Sequence, residues 1–239
     1  MAAAVERNRQ KWQADQWRWL LVCAVVLLLV FELTNLDRTF SDLFFTASEG
    51  FLGAQIAWFE PVMHEGLKRV MLLLAVGSSG WLIWRHCLNP LFSSRVLWMG
   101  VSALILVPLS IVLLKWLTHR PCPWSLSIYG GSEPYESLLS GFFPMANTPM
   151  YGGMCFPAGH ASGGFLWLGW AAAFWVVNPR WARVFAALGW ISGFVMGLTR
   201  VMQGAHFLSH VFWAAWVSWV VCVFLTHAFK MRGMDNEKD

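Results

Sequence analysis

Six apolar stretches, Trp19–Asn35, Val70–Trp84, Leu97–Leu117, Ser162–Val177, Val184–Leu198 and Phe207–Phe229, leave this chain few ways to fold. Each is near or somewhat below the ~20 residues with which an α-helix crosses a bilayer. Lipid offers no partners to a bare backbone, so such stretches must close their hydrogen bonds within themselves, as helices. The expected fold class is all-α: a polytopic membrane protein with six transmembrane helices bundled over residues 19–229. Composition agrees, with 57% hydrophobic residues, 13% charged residues and a mean hydropathy of +0.52. The second and fifth stretches are short, so flanking polar residues are expected to extend them or the spans to tilt. Several of the 17 tryptophans, Trp17, Trp19, Trp84 and Trp116 among them, fall near span ends. Indole rings favour that headgroup level.

An even number of spans puts both termini on one side. Arg7, Arg9, Lys11 and Arg18 precede the first span, and Arg85 and Arg95 separate the second from the third. Arg180 and Arg183 separate the fourth from the fifth, and Lys230, Arg232 and Lys238 follow the sixth. Eleven of the 17 lysines and arginines thus share one face, which the positive-inside tendency assigns to the cytoplasm. Residues 1–18 then read as a cytoplasmic basic interfacial segment rather than a cleaved signal, and 230–239 as a cytoplasmic tail. That face accounts for the net charge of +4, so no nucleic-acid partner is needed.

Arg38, Lys68, Arg69, Lys115, Arg120 and Arg200 run against the bias. Three of them belong to short clusters: Lys115-Trp-Leu-Thr-His-Arg120-Pro121, Pro157-Ala-Gly159-His160 and Thr199-Arg200-(x5)-His206-(x3)-His210. In the six-span topology Arg120 follows the third span, His160 begins the fourth, Arg200 ends the fifth and His206 begins the sixth. All four therefore reach the same face. Histidine attacks or donates a proton near neutral pH, and arginine presents a rigid fork of donors to phosphate oxygens. The combination describes a phosphate site at a membrane surface.

These ordered motifs resemble the type 2 phosphatidic acid phosphatase superfamily, whose pattern is Lys-x6-Arg-Pro, then Pro-Ser-Gly-His, then Ser-Arg-x5-His-x3-Asp. The resemblance covers Lys115 to His210 and the six-span layout. It implies that His206 attacks phosphorus to form a phosphohistidine, and that His160 protonates the departing oxygen and then activates water. It further implies that Arg120 and Arg200 clamp the non-bridging oxygens, that Gly159 admits a close backbone approach, and that neither metal nor cofactor takes part. The function so implied is a lipid phosphatase of a bacterial inner membrane with its site facing the periplasm. Undecaprenyl diphosphate, lipid A phosphate, phosphatidylglycerol phosphate and phosphatidic acid all fit as substrates, and the bilayer and this lipid are the implied partners. A lipid-to-lipid phosphotransferase is the nearest alternative, and a non-catalytic lipid-phosphate binding or transport protein is one of another class. The oligomeric state is not written in the motifs.

The departures from the pattern are informative. Ala158 replaces a serine, and Lys115 lies five rather than seven residues before Arg120, about 160° around a continuous helix from the family position. Lys115 can then reach the site from the last helical turn or merely snorkel, with His119 as a substitute. His210 stands where the family has aspartate, on the same helix face as His206. As a neutral imidazole it would orient His206 with weaker electrostatic support, so a carboxylate is expected from elsewhere, with Glu133 and Glu136 as candidates. His206, His210 and His160 also read as a three-histidine zinc set, against which two nearby arginines would repel a dication.

Cys122 and Cys155 flank the long external segment 121–156, and an oxidising compartment would permit a disulfide between them. Cys23, Cys87 and Cys222 read as small apolar packing residues, and His64, His86 and His227 as structural. Segment 121–156, rich in Gly, Pro, Ser and Tyr, is expected to cover the site. Segment 36–69 is expected to lie along the interface as an amphipathic helix, or to form a loosely packed cap.

Overall fold

The computed structural model describes residues 2–89, 94–135, 153–175 and 177–229, the side chains within 2–13 and at 64 excepted. The expected C-terminal tail, Glu136 and the middle of segment 121–156 lie outside the described residues. Helix α1 (Ala2–Leu33) carries the basic lead and the first apolar stretch in one continuous element. A folded connector follows: α2 (Leu36–Asp42), strands β1 (Phe45–Thr46) and β2 (Gly50–Phe51), α3 (Leu52–Gln55), and a π-helical segment, Glu60–Gly66, that runs into α4 (Leu67–Leu88). Then come α5 (Ser94–Thr118), α6 (Gly159–Phe165), α7 (Leu168–Phe174), α8 (Pro179–Met202) and α9 (Leu208–Ala228).

Among the described residues, five helices are long and apolar enough to cross a membrane. The protein is a membrane protein built mostly of helix. The two short apolar stretches are extended as their flanks suggested, to Leu67–Leu88 and Pro179–Met202. The fourth stretch differs from the expectation of one continuous span. It is divided into α6 and α7, with tight turns in which the Trp167 amide bonds the Gly164 carbonyl and the Gly169 amide bonds that of Leu166. Leu166 and Trp167, at the break, keep right-handed helical backbone angles, so the hydrogen-bond pattern tightens there without leaving the helical region.

Helix α9 is the most buried of the five and α1 the least. Around α9 the helices approach closely, because small residues stand where backbones meet. A β-carbon added at Gly164 would lie 2.2 Å from the backbone nitrogen of Gly193, so α6 and α8 touch main chain to main chain. Leu73 (71% exposed) and Leu33 (76%) lie on the outer surface, where lipid rather than water is the natural solvent.

The connector 36–66 corrects the expectation of an interfacial helix or loose cap. Strands β1 and β2 pair antiparallel, with Phe45 opposite Phe51 and Thr46 opposite Gly50. Phe45, Phe51 and Tyr129 pack edge to face with ring centroids 4.9–5.1 Å apart. This small core, which also holds Leu126 and Phe207, sits over the turn between α8 and α9. Gly53 meets the Met202 carbonyl and the Gln203 side chain, and Gly204, at φ 72°, meets the Phe51 ring. The connector is therefore packed onto the bundle.

Gly164→Leu is expected to force α6 from α8 and to lower stability by the upper end of the ~1–3 kcal/mol typical of overpacking, or more. It should appear as a fall in the thermal midpoint of the detergent-solubilised protein. Gly77→Leu, where an added β-carbon meets nothing within 4 Å, is expected to leave that midpoint unchanged.

Candidate active site

The three motifs meet at one end of the bundle, each at a helix terminus. Helix α5 ends at Thr118, and His119 takes a left-handed conformation (φ 45°) that turns the chain. Arg120 is thereby directed inward and is 9% exposed. The Thr118 hydroxyl donates to the Phe156 carbonyl at 2.9 Å, and the Cys155 amide donates to the Arg120 carbonyl at 3.0 Å. A disulfide joins Cys122 to Cys155 across the same junction, with a Cα–Cα separation of 5.2 Å. These links tie the first motif to the second, and the Ala158 amide, donating to the His210 carbonyl at 3.0 Å, ties the second to the third.

Ala158 is fully buried against Ile111, Phe165 and Val211. A serine hydroxyl there would need a partner, which accounts for the small apolar residue. Lys115, uncertain from its spacing, does reach this end of the bundle: a β-carbon at Gly159 would lie 3.2 Å from its ammonium nitrogen. Glycine at 159 is what lets the lysine and the start of α6 approach.

His206 is 3% exposed and stands between two other histidines. Its ring centroid lies 6.5 Å from that of His160 and 5.8 Å from that of His210. Burial, followed by the charges of His210, Lys115, His160 and Arg200, holds the His206 pKa well below its ordinary value. The ring is therefore neutral at neutral pH, with a lone pair available. Its Nδ1 and that of His210 are buried and find no hydrogen-bond partner among the described residues.

Arg200, in the last turn of α8, is 8% exposed. Its Nη1 donates to Glu60 Oε2 at 3.0 Å and to Gln203 Oε1 at 2.7 Å, and Gln203 Nε2 donates to the same Glu60 oxygen at 2.6 Å. The indole of Trp124 lies 5.6 Å from the guanidinium carbon. Gln203 escaped the sequence reading because it occupies one of the five unspecified positions between Arg200 and His206, and Glu60 because it belongs to no motif.

Asp37 was missed for the same reason. It is 6% exposed, and its Oδ1 accepts the Ser209 amide at 2.7 Å. It lines a small polar cavity with Arg120, His210, Glu32 and Tyr135. Burial raises its pKa to about 6, against the Ser209 hydrogen bonds and the Arg120 charge, which oppose the rise. Glu133, the carboxylate expected near His210, is not in that cavity; its backbone pairs with Ser125 and Ser127. Among the described residues, no group of three His, Cys, Asp or Glu side chains is arranged to hold a metal ion.

Reduction of the Cys122–Cys155 bond is expected to free a chain closure of 33 residues and lower stability by about 3–4 kcal/mol on chain-entropy grounds. Dithiothreitol should lower the thermal midpoint of the wild type and leave that of the Cys122→Ser/Cys155→Ser protein unmoved.

No curated protein and no solved structure matches this chain. The family model described as the PAP2 superfamily matches residues 95–234, which is more than half of the sequence and takes in all three motifs. The chain belongs to the PAP2 superfamily.

Proposed function

We propose that this protein is a metal-independent lipid phosphatase of a bacterial inner membrane, with six spans, both termini cytoplasmic and its site facing the periplasm. Its substrate is a lipid phosphate or diphosphate. The observation that carries the reading is the pair His160 and His206, tilted at 46° with ring centroids 6.5 Å apart. A phosphoryl group passed from a departing oxygen to a nucleophilic ring must fit between nucleophile and proton donor, and this separation supports such a placement.

In the first step a lone pair of His206 forms the N–P bond and the P–O bond to the lipid breaks. Its electron pair leaves on the lipid oxygen, which takes a proton from His160. In the second step His160 takes a proton from water, the water oxygen bonds to phosphorus, and the N–P pair returns to His206. The depressed pKa of His206 supports its part, since a protonated ring has no lone pair to give. Lys115, Arg120 and Arg200 hold the non-bridging oxygens, and the amide of Gly159 is a further donor beside Lys115. His210 orients His206. Substrate oxygens take the place of Glu60 on Arg200, a carboxylate-for-phosphate exchange on one guanidinium fork. The disulfide supports the periplasmic orientation, since such bonds persist in oxidising compartments.

Purified protein in detergent with a chelator is expected to release inorganic phosphate from at least one of phosphatidic acid, phosphatidylglycerol phosphate, lipid A phosphate and undecaprenyl diphosphate. His206→Ala should abolish release, and His160→Ala should slow it by about 10²–10⁴-fold. Transfer of phosphate to a second lipid instead of water would make the protein a phosphotransferase. Equal silence of wild type and His206→Ala would leave lipid-phosphate binding as the better reading, and loss of activity on chelation with recovery in zinc would refute metal independence.

A further inference from the structure

We propose that Asp37 is a positioning residue for this reaction, supplying beside His210 the negative charge that a carboxylate at position 210 would otherwise bring. The inference rests on the phosphatase reading above. Four observations support it. Asp37 is buried, unlike the half-buried Glu32 that shares its cavity. Its bond to the Ser209 amide fixes it to the start of α9, between His206 and His210 in sequence. It lines the same polar cavity as His210 and Arg120. Arg120 acts by charge on Asp37, so carboxylate and guanidinium are coupled beside the His210 ring that lines the same cavity.

The chemistry gives this unit a task. When phosphorus bonds to one nitrogen of His206, the ring becomes cationic and its other nitrogen carries a proton. His206 precedes α9 rather than lying on it, and His210, in the first turn of α9 and 5.8 Å away between centroids, is the neighbouring ring to accept from it. A neutral imidazole accepts such a bond but adds no compensating charge, and Arg120, which lines the same cavity, is a further positive charge beside it. A carboxylate in that cavity offsets both, and does so among buried groups where charge acts strongly. Family members with aspartate on the helix itself have no such need. In this chain α2 supplies the charge from 173 residues away in sequence, and the connector 36–66 is packed firmly enough to hold it.

The competing explanation is that Asp37 merely caps the Ser209 amide. Asp37→Asn separates the two, because an asparagine oxygen still accepts that amide while the charge is gone. The assay uses the full-length protein in detergent, on whichever of the four lipids above the wild type hydrolyses. Asp37→Asn is expected to lower kcat by about tenfold or more with KM held within about twofold. In a His210→Asp background, where the carboxylate stands on α9, adding Asp37→Asn is expected to change kcat by less than about twofold. Wild-type kcat in Asp37→Asn, or the same fractional loss in both backgrounds, overturns the proposal. Should Asp37→Asn also lower the thermal midpoint, the comparison of backgrounds still decides, since a folding defect would persist beside His210→Asp. A wild type that hydrolyses none of the four lipids defeats the phosphatase reading itself, and this proposal with it, before any variant is compared.

Discussion

Burying positive charge at the end of an apolar bundle is the constraint on which this structure turns. Arg120 and Arg200 are each more than nine-tenths buried, and Lys115 adds a third cation beside Gly159. An isolated buried charge costs far more than a domain can spare, so such groups survive only with partners. The partners come from the connector between the first two spans. Glu60 holds Arg200 through a three-way arrangement with Gln203, and Asp37 lies in the cavity of Arg120. The segment between the first two spans thus brings carboxylates to the buried arginines, which accounts for its being folded and packed rather than loose.

The arrangement leaves the histidines where chemistry can use them. Burial first, and then the neighbouring His210, Lys115, His160 and Arg200, hold the His206 pKa low. On the proposed reading, the same cations that help keep this ring neutral would also meet phosphate oxygens. The main-chain links that fix the cluster, from Cys155 to Arg120 and from Ala158 to His210, are short and buried, so geometry at the site does not depend on long flexible side chains alone. The close contact of Gly164 with Gly193 serves the same end, by setting α6, which begins with His160, against α8, which ends with Arg200.

Much of this was legible in the letters. Among the described residues five of the six apolar stretches form helices long enough to cross a membrane, and the six-span reading put Arg120, His160, Arg200 and His206 at one depth before any contact was known. What escaped was whatever has no periodic or motif signature. Asp37 and Glu60 are ordinary acidic residues, and nothing in their neighbours says that the first is buried beside Arg120 or that the second, itself exposed, reaches Arg200. Glu133 looked the better candidate because it lies in the segment tethered to the motifs, yet its backbone is engaged within that segment. The break in the fourth stretch was hidden for a different reason. Hydropathy sums over Ser162–Val177 without regard to turns, so the change of hydrogen-bond pattern at Leu166 and Trp167 leaves no mark in it.

The sequence by itself determined that the chain is a helical membrane protein and which histidines and arginines share a face, because hydrophobic length and helix parity are properties of residue order. Only the tertiary structure decided which carboxylates compensate the buried cations, whether Lys115 reaches Gly159, and that the connector folds onto α8 and α9. Those outcomes depend on the close approach of residues far apart in the chain, and such approach is set by how small residues let backbones meet and by the cost of leaving a buried charge alone.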